Sequence, residues 1–206
     1  MAETDHTECL HRYLRYARDS LLWKLEDLSE YDIRRPMTPT GTNLLGLVKH
    51  LGMIELGYLG LVFGRHFDEH VPWFGPTGLL RDLDPSTMEA DFDMWATPEE
   101  SREDVIGLYR RAWEHADATV AELAPEAVGR VPWWPDKRNP VTLHLILTHV
   151  VAETQRHLGH ADIVREMLDG AVGSRRDNDN MPTDDRRWWE EHRARLEDAA
   201  RRAGQR

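Results

Sequence analysis

The chain has 206 residues, enough for one domain of ordinary size with an appendage, and carries a formal net charge of -11, which disfavours partners held through phosphate contacts, nucleic acid and anionic lipid among them. Hydrophobic residues make up 40%, the mean hydropathy is -0.63, and no apolar run approaches the roughly 20 residues of a membrane span. The opening MAETDHTECLHRY lacks the basic start and apolar core of a signal peptide, and the single Cys9 cannot close an intramolecular disulfide, so a cytoplasmic protein is expected.

Leu10, Leu14, Ala17, Leu21, Leu25 and Leu28 recur at three-and-four spacing, which predicts a first amphipathic helix over Thr7–Glu30. Tyr31–Gly41 contains Pro36 and Pro39 and reads as a turn region. Thr40 or Thr42 is placed to cap a second helix running to about Phe63. On it, His50 shares a face with Leu47, Ile54, Gly57 and Leu61, and therefore points into the core. Gly46, Gly57 and Gly60 each lower helix propensity by about 1 kcal/mol relative to alanine. Close approach of another segment or a ligand would offset that.

A long connection follows from Gly64 to Ala96. Its aromatic residues Trp73, Phe74 and Trp95 favour an ordered cover over one end of the domain. Thr97-Pro98-Glu99-Glu100 reads as a capping box that starts a third helix, with Val105, Leu108, Ala112, Ala116, Val120 and Leu123 as its apolar face and His115 structural beside it. A second loop, Ala124–Pro140, holds Trp133 and Trp134.

The fourth helix, about Val141–Asp169, carries THVVAETQRHLGHADIVRE. His149, Glu153 and His157 are four residues apart and so align on one face, in line with Ile146, Val164 and Leu168. A carboxylate within an apolar stripe requires compensation, and a metal ion flanked by imidazoles is one of few groups that supply it. His50 is the candidate further ligand from a second helix. The alternative is a hydrogen-bonded His-Glu-His network without metal. Gly170–Pro182 reads as a linker, and Thr183–Ala203 as a last, largely solvated helix with four-residue ion pairs. The predicted architecture is all-α: a four-helix bundle over residues 1–170, with long connections between its second and third helices, then a linker and charged helix over 171–206.

Two segments, TGTNLLGLVKHLGMIELGYLGLVFGR (Thr40–Arg65) and VTLHLILTHVVAETQRHLGHADIVREMLDGAVG (Val141–Gly173), resemble the DinB-like superfamily of metal-dependent four-helix proteins, in the branch that includes mycothiol-dependent maleylpyruvate isomerase. The resemblance implies a metal set of His50, Glu153 and His157, with His149 and His160 as supporting groups or occasional ligands. It names no catalytic side chain. It also implies a divalent ion, most simply zinc from two imidazoles and one carboxylate, with nickel, manganese or iron also suited. The expected activity is transfer or isomerisation on a small electrophile using a bound thiol such as mycothiol. Trp73, Phe74, Trp133 and Trp134 are candidate pocket walls, and Arg65 or Arg81 a candidate partner for a substrate carboxylate. The larger extra domain of that isomerase is replaced here by the short terminal helix. Two other readings use the same residues: a non-catalytic, metal-stabilised binding or stress-associated protein, dimeric through the bundle face or the last helix, and an iron-dependent oxygen-activating enzyme.

Overall fold

Asp5 accepts hydrogen bonds from the backbone N–H groups of Thr7 and Glu8 and so starts α1, His6–Trp23, whose Leu14, Ala17 and Leu21 are buried. The computed structural model describes residues 5–83 and 87–205. α1 stops seven residues short of the expected Glu30. There Asp27 turns the chain with a φ of 61°, and the Arg165 guanidinium donates to the carbonyls of Lys24 and Glu26, each at 2.9 Å. Ser29 then caps a short α2, Glu30–Arg34, inside the stretch predicted as a turn.

α3, Leu44–Tyr58, is capped by Asn43 and not by Thr40 or Thr42. The Asn43 carbonyl oxygen accepts from Gly46 N–H at 2.8 Å while its amide donates to the carbonyl of Met94. The helix gives way to a 3-10 turn at Leu61–Phe63. The segment Leu44–Phe63 is, by length and composition alone, apolar enough to cross a membrane, contrary to the expectation that no run comes near that length. It is 78% buried within the protein, as a core helix is.

α4, Arg102–Glu122, begins at Ser101, four residues after the predicted Thr97. Half of the capping box does form, because the Thr97 N–H donates to the Glu100 carboxylate at 3.3 Å. The other half does not form because the Glu100 N–H donates to the Thr97 carbonyl at 3.2 Å and the segment closes as a turn, with Lys49 holding both Glu100 oxygens at 2.9 and 2.8 Å. α5, Leu143–Asp169, is capped by Thr142 and ends at Gly170 with a φ of 80°. Just before it, Val141–Thr142 pairs antiparallel with Val128–Gly129 as a two-stranded ribbon, β1 (Val128–Gly129) and β2 (Val141–Thr142). α6, Arg186–Ala203, starts from Asp185 and buries no residue.

Residue pairs between the helices fix their directions. Lys49 meets Glu100, Gly52 lies against Tyr109 and Arg65 meets Glu122, so α3 and α4 run parallel. Lys24 meets Asp162, while His6 and His144 border one depression, so α1 and α5 also run parallel. His11 meets Asp117, and Arg102 donates to the Leu28 carbonyl, which sets α1 antiparallel to α4. Parallel neighbours need a crossover of bundle length. That is the physical reason for the long Gly64–Ala96 connection, and it packs along α3 and α4 rather than over one end: Phe67, Val71, Phe74 and Leu80 join Leu56, Leu108 and Ala112 in one apolar cluster. The chain divides into two compact units, Met1–Ala171 and Val172–Arg206. Within the second, Trp188 stacks on His192 and Trp189 donates to the Thr183 carbonyl.

Candidate functional site

The antiparallel pairing of α3 with α5 follows from two ring contacts eight residues apart on each helix. The His50 and His157 ring centroids lie 4.8 Å apart, and those of Tyr58 and His149 lie 4.7 Å apart. His50 and His157 thus come together at equal depth, as the spacing predicts. Glu153 stands one turn from His157, with its Oε2 3.7 Å from the His157 Nε2. It is less enclosed than an apolar stripe implies, since about a third of its side chain is exposed. Among the described residues, the carboxylate that is fully buried is Glu55, 0% exposed and held by Arg18.

The connection supplies a residue that sequence reasoning passed over. Asp93 accepts a hydrogen bond from His50 Nδ1 at 2.7 Å. Burial, the largest single influence, raises the Asp93 carboxyl, but the His50 hydrogen bond and charge, a backbone hydrogen bond and Lys49 together outweigh it, and the net position is below the ordinary carboxylate range. With Nδ1 committed as donor, His50 presents Nε2 as its free lone pair. His157 is pushed down to about 4 by burial, with His50 and His160 beside it adding to the effect, so it is neutral at pH 7. Its Nδ1 is buried without a hydrogen-bond partner. His160 lies further out, ring to ring with His157 at 5.4 Å. Burial lowers His149 as well, where it packs between Tyr58 and Trp134.

Among the described residues, no three His, Cys, Asp or Glu side chains are arranged to hold a metal ion as they lie. The donor chemistry nevertheless suits one. Among the described residues His157 makes no hydrogen bond, and its 3.7 Å separation from Glu153 is near the roughly 3.4 Å between two ligands of a tetrahedral zinc. What is lacking is convergence of the third donor.

Beside this pair opens a cleft of about 670 Å³, lined by Met53, Ile54, Gly57 and Tyr58 of α3, by Arg81, Phe92 and Asp93 of the connection, and by Trp133 of the second loop. Asp93 is shared between the cleft and His50. Trp133 packs directly over Gly57, where a Cβ would meet its ring at 3.4 Å, about van der Waals contact. Both indoles of the second loop donate to one oxygen: Trp133 Nε1 and Trp134 Nε1 each reach the Tyr58 hydroxyl at 3.1 Å. Trp133 therefore walls the cleft, and Trp134 braces Tyr58 from behind, with Arg138 3.9 Å over its ring.

Of the two arginines proposed from sequence, Arg81 borders the cleft and pairs with Asp68. Arg65 pairs with Glu122 at 2.6 Å and does not line it. Phe74 is fully buried in the cluster beneath the connection. Trp73 packs on that cluster, with the Lys49 ammonium 5.5 Å from its ring. Neither borders the cleft. Tyr58 was within reach of sequence reasoning, since it neighbours Gly57 on the His50 face. Asp93 was not, because Glu89, Asp91 and Asp93 alternate without any feature to single one out.

A search among curated proteins finds no match to the chain. Its residues 9–170, the whole bundle and both histidine-bearing helices, match the pattern of the mycothiol-S-transferase family. The match covers well over half the chain, and the protein belongs to that family, a DinB-like one.

Proposed function

We propose that the protein joins the sulfur of mycothiol to a small electrophile seated in the α3 cleft, and that a divalent metal ion, zinc by its donor set, is held by His50, Glu153 and His157. The observation that carries this reading is the pair of facing imidazoles from α3 and α5, 4.8 Å apart and flanked by a carboxylate, at the edge of an apolar cleft in a chain of this family. Such an ion supplies Lewis acidity that ionises a thiol at neutral pH. The other tasks fall to the chain itself. Asp93 fixes the tautomer and orientation of His50. Among the described residues Glu153 is engaged only by the 3.7 Å approach to His157, so it is free to turn inward. The side chains of Met53, Ile54, Phe92 and Trp133 exclude water around the electrophile. In the transfer, the thiol gives its proton to solvent, a sulfur–carbon bond forms, and the bond from that carbon to the leaving group breaks, the leaving group departing with the electron pair.

The test uses protein purified without added metal or a histidine tag. Elemental analysis is compared with mycothiol-dependent turnover of a generic electrophile such as 1-chloro-2,4-dinitrobenzene, in the native chain, His50→Ala and His157→Ala. The expected result is about one divalent ion per chain and thiol-dependent turnover, both lost in the variants. Turnover by metal-free protein overturns the metal half of the reading. A metal-loaded protein that leaves mycothiol and the electrophile unreacted overturns the transferase half.

A further inference from the structure

The Tyr58 side chain is 6% exposed and lines the cleft. Two indole N–H groups donate to its oxygen, from Trp133 and Trp134, each at 3.1 Å. An indole nitrogen only donates, and a phenolic oxygen has one hydrogen of its own to give. With its acceptor side occupied twice, the hydroxyl's remaining capacity is that single O–H, and no acceptor for it exists among the described residues. The nearest imidazole, His149, meets the Tyr58 ring edge-on at 4.7 Å and makes no hydrogen bond to the hydroxyl. A buried donor left unpaired is costly, and structures keep one where a ligand or water completes it. The two indoles also immobilise the phenol, so its donor direction is set before anything binds.

The surroundings narrow what completes it. The cleft wall is mainly apolar, with Met53, Ile54, Leu61, Leu83 and Phe92 facing it and the Trp133 ring over Gly57. That lining suits a flat, apolar body better than a sugar. Along α3, Tyr58 is eight residues from His50, about 12 Å at helical rise, so its donor serves the end of the ligand remote from the histidine pair.

We propose that Tyr58 is a specificity-determining residue that selects apolar, ring-containing electrophiles bearing a carbonyl or similar acceptor oxygen at the end remote from the reacting carbon. This rests on the proposed function in taking the cleft as the electrophile site and the histidine pair as the end where the reaction occurs. Binding itself requires neither thiol nor metal, so the test is separate from that of the transferase.

The probes are an unreactive matched pair, 2-acetylnaphthalene and 2-ethylnaphthalene, which differ in a carbonyl oxygen and are close in shape. Their dissociation constants are measured by calorimetry on the full chain. Native protein is expected to prefer the ketone by about tenfold, the scale of one neutral hydrogen bond. Tyr58→Phe, which keeps the ring, is expected to remove that preference and leave 2-ethylnaphthalene binding within about twofold, with a thermal melt verifying that it folds. Arg81→Met and His66→Ala, which remove the side-chain donors bordering the cleft other than Trp133, are expected to keep the preference. Equal affinity of the two probes for native protein overturns the proposal. So does a preference that survives Tyr58→Phe or disappears in Arg81→Met or His66→Ala. Failure of both probes to bind overturns the apolar-ligand assignment. Should Tyr58→Phe not fold, the native comparison and the Arg81 and His66 variants still decide the matter.

Discussion

Arg18→Met isolates the ion pair at the centre of the bundle. The Arg18 side chain is 2% exposed and Glu55 is 0% exposed. Arg18 donates to both Glu55 oxygens, at 2.9 and 2.6 Å, and to Asp117 at 2.6 Å. Methionine fills most of the volume but leaves Glu55 as an unpaired carboxylate, a change that costs about 3–5 kcal/mol when a buried pair is broken from one side. Asp117 retains His11 at 2.7 Å and partial solvent, so the loss is concentrated at Glu55. At about 2–4 °C per kcal/mol for a unit of this size, the melting temperature falls by roughly 6–20 °C. The paired change Arg18→Met/Glu55→Leu removes both charges and is expected to recover most of that loss. The pH dependence supplies a further check. Burial pushes the Glu55 carboxyl up, and Arg18 opposes this, so its removal lets the folded-state pKa climb further above the unfolded value of about 4.3. A group raised in this way is protonated more readily in the folded state. The variant is therefore closest to native stability below about pH 4 and falls behind as pH rises, at most about 1.4 kcal/mol per pH unit. Urea titrations of native, single and double variants between pH 4 and 8 measure all of this. A single variant within about 1 kcal/mol of native, or a double variant no better than the single, refutes the reasoning.

Two further changes test how the ends of the helices are held. A Cβ at Gly46 would lie 1.8 Å from the Met94 carbonyl oxygen, with backbone on both sides, so Gly46→Ala is expected to cost about 1–3 kcal/mol in urea unfolding despite alanine's better helix propensity; a neutral or stabilising result would mean that the connection does not dock on α3. At the other end, burial would raise Asp169, but the Arg165 hydrogen bond and the Ala171 N–H prevail and hold it below the ordinary range. A depressed carboxylate contributes stability above its unfolded pKa of about 3.9 and loses it as pH falls through the folded value. Asp169→Asn should thus be less stable at neutral pH, by about 1 kcal/mol or less for a group about a third exposed, and should lose less on acidification below about pH 4. Parallel acid-unfolding curves for the two proteins would contradict that assignment.

The four long helices and the meeting of His50 with His157 were legible because each rests on a period: apolar residues at three and four, and His149, Glu153 and His157 at four. Even the cost of Gly46 and Gly57 pointed correctly to close neighbours, which are the Met94 carbonyl and the Trp133 ring. Helix ends were read less well. α1 ends where Arg165, 142 positions away from Trp23 in sequence, gathers its last carbonyls, and no local pattern records such a partner. The capping box at Thr97 misplaced the start of α4 because the segment closes as a turn, the Glu100 N–H going to the Thr97 carbonyl while Lys49 from another helix holds the glutamate. The same limit hid Asp93: its role exists only once the connection has been laid along α3.

That connection joins topology to chemistry. Because α3 and α4 run parallel, the chain between them must travel back along the bundle, and its backbone groups need partners as it goes. They come from side chains on the elements it crosses. Lys49 donates to the carbonyls of Phe92 and Trp95, at 2.9 and 3.0 Å, and Asn43 to that of Met94. Arg34 donates to those of Thr97 and Glu100. The residues so clamped bracket Asp93 on both sides, and His50 is the neighbour of Lys49 in sequence. One turn of α3 therefore does two things: Lys49 fastens the crossover, and His50 receives the carboxylate that the fastened crossover delivers. The buried lysine is in this way a condition for the orientation of His50, the histidine to which the proposed function gives the metal ion.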